Sequence, residues 1–187
     1  LAALDPEAAE EELLDDPVID MSAIHAGIQP QALRVAASQG DAEALYEIAS
    51  RLAEGRGIAP DLAEAAKWYE KAAEQGLAPA QYRLGNLYEK GTGVERDFEK
   101  AKTWYQLEAQ QGYASAMHNL GVLFAMGADG AADNESAARW FVEAAERGVT
   151  DSQFNLGVLY AKGVGVQRDL SEAYKWFDIA SRAGDPD

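Results

Sequence analysis

Apolar residues recur along most of the chain at three- and four-residue spacing, in pairs of segments divided by a glycine-rich turn, and that spacing marks one buried stripe on each of two successive helices. One stretch shows the rule fully. The pattern predicts a helix over about Ala78 to Lys90 with Ala80, Leu84, Leu87 and Tyr88 on one face. A turn at Gly91-Thr92-Gly93 follows, and then a second helix over about Phe98 to Gln110 that presents Ala101, Trp104, Tyr105 and Ala109. The unit is a helical hairpin.

The hairpin repeats. Four blocks, 41–76, 77–112, 113–148 and 149–184, align without a gap at a period of 36 residues, and such self-similarity is the signature of a repeat architecture. The four tryptophans, Trp68, Trp104, Trp140 and Trp176, share one column, followed by Tyr69, Tyr105, Phe141 and Phe177, and each block closes on Gly76, Gly112, Gly148 or Gly184. Asp61, Asp97, Asp133 and Asp169 stand just before the second helix of each block, where a short carboxylate caps the exposed amides of the first turn. Gly85, Gly121 and Gly157, with Ala49 in the first block, fall inside the first helix. Glycine there costs about 1 kcal/mol against alanine, so the column predicts a close approach by a bulky neighbour. The chain is therefore expected to be all-α, an α/α solenoid (superhelix) of helix-turn-helix repeats.

The shared pattern, seen in the fourth block as Leu156-Gly157-Val158-Leu159-Tyr160, Gly163-Val164-Gly165-Val166, Asp169, Ala173, Trp176-Phe177 and Gly184, resembles the Sel1-like repeat family, relatives of the tetratricopeptide repeat. The resemblance covers residues 41–184. Within the family, the repeats are most similar to those of alphaproteobacterial polar-localisation scaffolds of the PodJ type. That similarity implies a periplasmic module with a role in cell polarity or envelope organisation, anchored by a membrane segment elsewhere.

Outside the four blocks, Gln31 to Gly40 resembles the second helix of an earlier repeat with Ala32 in the tryptophan column, so residues 29–40 are expected to be a degenerate half-repeat that caps the array. Residues 1–28 read as an acidic, largely irregular linker with a short helix at Pro6–Leu14. Residues 185–187 read as the start of a further repeat, and with no Met at position 1 the chain is expected to be part of a longer one. In the third block the loop runs Gly127-Ala128-Asp129-Gly130, with its second glycine displaced by one position, which predicts a different turn path.

Charge and composition narrow the functions. The net charge is −16, and residues 1–33 hold eight acids and no base. Such a surface repels polyanions, so nucleic acid and anionic lipid are poor partners and basic or neutral proteins are favoured. Cysteine is absent, which removes disulfides, thiolate metal sites and a cysteine nucleophile. No apolar run is long enough to span a membrane.

Candidate chemistry is sparse. The Gly-x-Gly turns follow helices and lack the lysine or third glycine of a phosphate loop. His25 and His118 are the two histidines, and His118 stands in the column of Tyr46, Tyr82 and Phe154, where an aromatic packs. The acids Glu10, Glu11, Glu12, Asp15, Asp16 and Asp20 lack the loop of a calcium site. No catalytic group, cofactor or metal is expected. The tryptophan columns are read as core.

Repeat arrays of this kind bind partners on the first-helix faces that line their concave groove. Analogy with tetratricopeptide repeats assigns that face to Tyr82, Arg83, Asn86 and Lys90, to His118, Asn119, Val122 and Met126, and to Phe154, Asn155, Val158 and Lys162. In the first block it assigns Tyr46, Glu47, Ser50 and Glu54. The family resemblance adds that Asn119 and Asn155 match an asparagine able to bind a peptide backbone. The expected function is a non-catalytic scaffold or adaptor that holds a protein or peptide, with a peptidoglycan-binding module as the alternative and a hydrolase as the weakest reading.

Overall fold

A computed structural model describes residues 19–128 and 130–183. Among these, every regular element is helical: α1 Gln31–Ser38, α2 Ala42–Glu54, α3 Leu62–Glu74, α4 Ala78–Lys90, α5 Phe98–Gln110, α6 Ala114–Met126, α7 Asn134–Glu146, α8 Thr150–Lys162 and α9 Leu170–Ala183, with a 3-10 turn at Met21–Ala23. Helices α4 and α5 coincide with the two read from the apolar spacing. The expected helix at Pro6–Leu14, the closing Gly184 and residues 185–187 lie outside the described residues.

The helix boundaries follow from cap chemistry. Asp97 Oδ1 accepts from the Lys100 amide at 3.0 Å, Asp61 from Glu64 at 2.9 Å and Asp133 from Ser136 at 3.0 Å, each satisfying a donor that the first helical turn leaves without a partner. The same aspartates close the interhelix loop. Their backbone N–H groups donate to Tyr88, Leu52 and Phe124, at the end of the preceding helix, at 3.0, 2.8 and 3.0 Å respectively. The third loop does run differently: Gly127 has φ 61° and Gly130 φ 151°, the second a conformation open only to glycine, so the displaced glycine falls where the altered turn needs it.

The chain divides into two compact units, residues 1–77 and 78–187. In the first, α2 packs on α3 and on α1 around Leu45, Ile48, Leu52, Trp68 and Tyr69. Residues 19–28, the end of the acidic lead-in, join this core: Ile24 and Ile28 are buried. The Arg34 guanidinium donates to the Ile24 carbonyl at 3.4 Å, Ile19 N–H to Ser38 O at 3.1 Å, and Arg51 to the Gln29 carbonyl. Two isoleucines in a short segment interrupted by Gly27 and Pro30 are too few to establish a period, which is why this packing is invisible in the sequence pattern.

In the second unit, α4 pairs with α5, α6 with α7 and α8 with α9, and α5 meets α6 as α7 meets α8. Leu84, Leu120 and Leu156 are buried together with the small column Ala101, Ala137 and Ala173, and each buried leucine contributes about 1.5–3 kcal/mol. The close approach expected at the glycine column is made by the second aromatic of each hairpin. A Cβ on Gly85 would sit 2.7 Å from Tyr105, one on Gly121 2.7 Å from Phe141, and one on Gly157 2.7 Å from Phe177. The tryptophans depart from the core reading: Trp68 is buried, whereas Trp104, Trp140 and Trp176 are half-buried. The aromatic that follows each tryptophan faces the paired helix, which turns the indole about 100° away, toward the outer surface.

Candidate partner-binding surface

All twelve residues assigned to the binding face of the second to fourth blocks belong to the second unit. They occupy the fifth, sixth, ninth and thirteenth positions of α4, α6 and α8, an arc of about 100° on each helix. None is buried, although the neighbouring columns of the same helices form the core. Met126 is 65% exposed and Phe154 55%. Arg83, Lys90 and Lys162 are exposed, and Tyr82, Asn86, His118, Asn119, Val122, Asn155 and Val158 are half-buried.

The half-buried members show how the face is fixed. The fifth-position ring leans on the second aromatic of its own hairpin: Tyr82 on Tyr105 with centroids 6.3 Å apart, His118 on Phe141 at 5.8 Å, and Phe154 on Phe177 at 5.4 Å. These tilted pairs suit the ring quadrupole, and none of the three fifth-position rings is fully buried. His118 Nδ1 lies 2.8 Å from Ser152 Oγ, joining α6 to α8. Burial holds its imidazole below the ordinary histidine range, with the Asp151 carboxylate pulling the other way, so His118 packs as a neutral ring. Asn86 Nδ2 donates to the Tyr82 carbonyl at 3.1 Å within α4. Val122 packs on the cluster of Ala137, Phe141, Ala145 and Leu156.

In the first unit the corresponding face is already engaged. Tyr46 leans on Tyr69 at 5.5 Å, and buried Ser50 Oγ lies 3.1 Å from the Tyr69 hydroxyl. Glu47 receives Arg51 at 2.7 Å and Arg56 at 3.1 Å, and Glu54 receives Arg56 at 2.6 Å. The hydrogen bond from Arg56 leads the effects that hold the Glu47 carboxyl below the usual range, against the opposing effect of burial.

Two features escaped the sequence reading. On α7, Ser136, Arg139, Trp140, Val142 and Glu143 line a hollow of about 590 Å³. The second is Glu108, which is only 3% exposed. Its signal was present: the same column holds Ala72, Ala144 and Ala180, so a carboxyl stands where every other repeat has a methyl group. His25 lies in the first unit, beside a hollow of about 520 Å³ that Trp68, Glu64 and Pro60 also line, and its Nδ1 accepts from the Gly27 amide at 3.0 Å. Among the described residues no three His, Asp or Glu side chains gather as a metal site, and no helix is long and apolar enough to cross a membrane.

The chain matches the family model of the Sel1 repeat four times, over residues 42–77, 78–113, 114–149 and 150–185. Among solved structures it is similar to a protective antigen of uropathogenic Escherichia coli with an SLR fold, at 36% identity and TM-score 0.77, covering 84% of this chain and 34% of that one. It is also similar to a Sel1 repeat protein from Oxalobacter formigenes, at 33% identity and TM-score 0.76, covering 83% of this chain and 64% of that one. The chain thus spans about a third of the first relative and just under two thirds of the second. An immunity protein from Pseudomonas aeruginosa shares the fold at 21% identity and TM-score 0.50, over 98% of this chain and 84% of that one. No curated protein sequence matches it. None of these relatives is described as a polar-localisation scaffold, and the resemblance to that type gains no support from them. Four consecutive matches over most of the chain, on a structure built of capped helical hairpins, show that the chain belongs to the Sel1 repeat family.

Proposed function

We propose that the protein is a non-catalytic interaction module that holds a protein or peptide against the exposed faces of α4, α6 and α8. Sel1 repeat proteins are generally protein-interaction modules. The observation that carries the reading for this chain is the exposure of Met126 and Phe154, at 65% and 55%, on a face where Tyr82, His118 and Val122 are held by packing. Large apolar side chains left in solvent on a preorganised surface are what a partner would bury.

The twelve residues include three cations, Arg83, Lys90 and Lys162, and no carboxylate. The net charge of −16 favours a partner that is neutral or basic overall, while at this face the partner offers an apolar anchor together with carbonyl or carboxylate acceptors for those three heads. A place in cell polarity, in the envelope or in the periplasm rests on sequence resemblance alone. The test compares partner recovery by the intact protein with recovery by folded Met126→Glu and Phe154→Ala variants. Loss in both supports the face, and equal recovery overturns it.

A second reading, peptidoglycan binding, draws on one observation. The hollow on α7 sets half-buried Trp140 beside Arg139, Glu143 and Ser136, an aromatic plate with polar groups of the kind a sugar ring uses. Titration with soluble peptidoglycan fragments separates the readings, since that heat would vanish with Trp140→Ala and survive Met126→Glu.

A further inference from the structure

Glu108, on α5, occupies a small-residue packing column of the repeat, where Ala72 and Ala144 are fully buried. It is 3% exposed, and its Oε2 is buried without a hydrogen-bond partner. A carboxylate shielded from solvent with an oxygen that accepts no hydrogen bond is costly, and the protonated acid is the form such a site tolerates.

Helix α5 packs between α4 and α6, and neither supplies a compensating cation. The charged residues of α4 are Arg83, Glu89 and Lys90, with Tyr82 and Tyr88 as its other titratable groups. Arg83 and Lys90 are exposed, and Glu89 is taken up by the Tyr105 hydroxyl at 2.7 Å. On α6 the sole titratable group is His118, which bonds Ser152. On α5 itself, Lys102 is held by Glu99 at 2.8 Å. Tyr105, one turn before Glu108, has its ionisation opposed first by burial, then by Glu89, and in smaller part by the charges of Tyr82 and Glu108.

We propose that Glu108 is a protonation-controlled latch: as the neutral acid it completes the packing of α5 within the second unit, and its ionisation loosens that packing. Burial alone pushes its carboxyl up to about 7, from an ordinary 4.5. The folded chain then keeps a proton that the unfolded chain has lost, so the stabilisation is full below about pH 4.5, falls as pH rises through 7 and is gone above it. The latch is independent of the partner-binding reading, because its test uses no partner.

The experiment is urea unfolding of the whole chain at a series of pH values from 5 to 8.5, on the natural protein, Glu108→Gln and Glu108→Ala. Alanine is what the other three repeats carry at this position, and glutamine keeps the shape without the charge. Between pH 5 and 8.5 the unfolding equilibrium constant of the natural protein should rise on the order of a hundredfold relative to either variant, with hydrogen exchange at pH 8.5 accelerated in α5 ahead of α9. Parallel pH profiles in all three proteins, or protection lost equally across α4 to α9, would overturn the latch.

Discussion

Gly121 and Phe141 meet face to face: a Cβ added to the glycine would lie 2.7 Å from both Cδ1 and Cε1 of the ring, and Phe141 is itself buried. The contact couples the first helix of the hairpin to the second. It also explains why three of four repeats accept glycine in a helix interior.

Gly121→Ala should therefore destabilise the protein. The substitution gains about 1 kcal/mol of helix propensity, but it presses a methyl group into a ring with no free space, at about 1–3 kcal/mol. Gly157→Ala should cost less, because Phe177 is only half-buried and can swing outward. Urea denaturation of the two variants ranks them, and equal stability would show that the ring yields as easily in the interior as at the end.

His118 and Ser152 make a second prediction. The hydroxyl is buried and has the imidazole 2.8 Å away, so His118→Phe restores the usual aromatic and strands the serine, at about 1–3 kcal/mol. Adding Ser152→Ala, the residue type of Ala44, Ala80 and Ala116, should recover most of that loss. A double-mutant cycle by thermal unfolding measures the coupling. Because burial lowers the His118 pKa, the unfolded chain binds this proton more readily. The natural protein should therefore be fully stabilised above about pH 6.5 and weaken as pH falls below it, a slope that His118→Phe removes.

Much of this was legible in the sequence because identical columns repeat four times: the glycine column announced a bulky neighbour, and the aspartate column announced the caps. Which ring filled the gap was not legible. Trp104 and Tyr105 are adjacent apolar aromatics, and only the helical phase relative to α4 decides that the tyrosine enters and the indole stays half-exposed. The burial of Ile24 and Ile28 was hidden for a different reason, since an irregular segment packs through tertiary contacts that leave no period. For the candidate face, the sequence placed its columns on one arc of α4, α6 and α8. It did not reveal that the first unit closes its version with Glu47, Arg51 and Arg56.

The caps yield a plain stability test. Asp97→Ala should cost about 1 kcal/mol, while Asp97→Asn, which still accepts from the Lys100 amide, should cost much less. At Asp133, hydrogen bonding to Ser136 leads the effects that hold the carboxyl below its ordinary value of 3.8. Its stabilisation is full above that value and disappears as pH falls through the lower folded pKa. Asp133→Asn should abolish this acid dependence, which unfolding between pH 2 and 5 would reveal.

The proposed partner face centres on α6 and α8, where Met126 and Phe154 are exposed. A photo-crosslinking amino acid placed at Met126, at Phe154 and, as a control, at exposed Lys71 on α3 or Gln110 on α5 should capture a common protein from cells at positions 126 and 154 and not at the controls. Purified, that protein should bind the natural chain and lose at least tenfold in affinity to Met126→Glu, about 1.4 kcal/mol. Capture at the controls but not at 126 or 154, or unchanged affinity for a folded Met126→Glu variant, would contradict the assignment of this face.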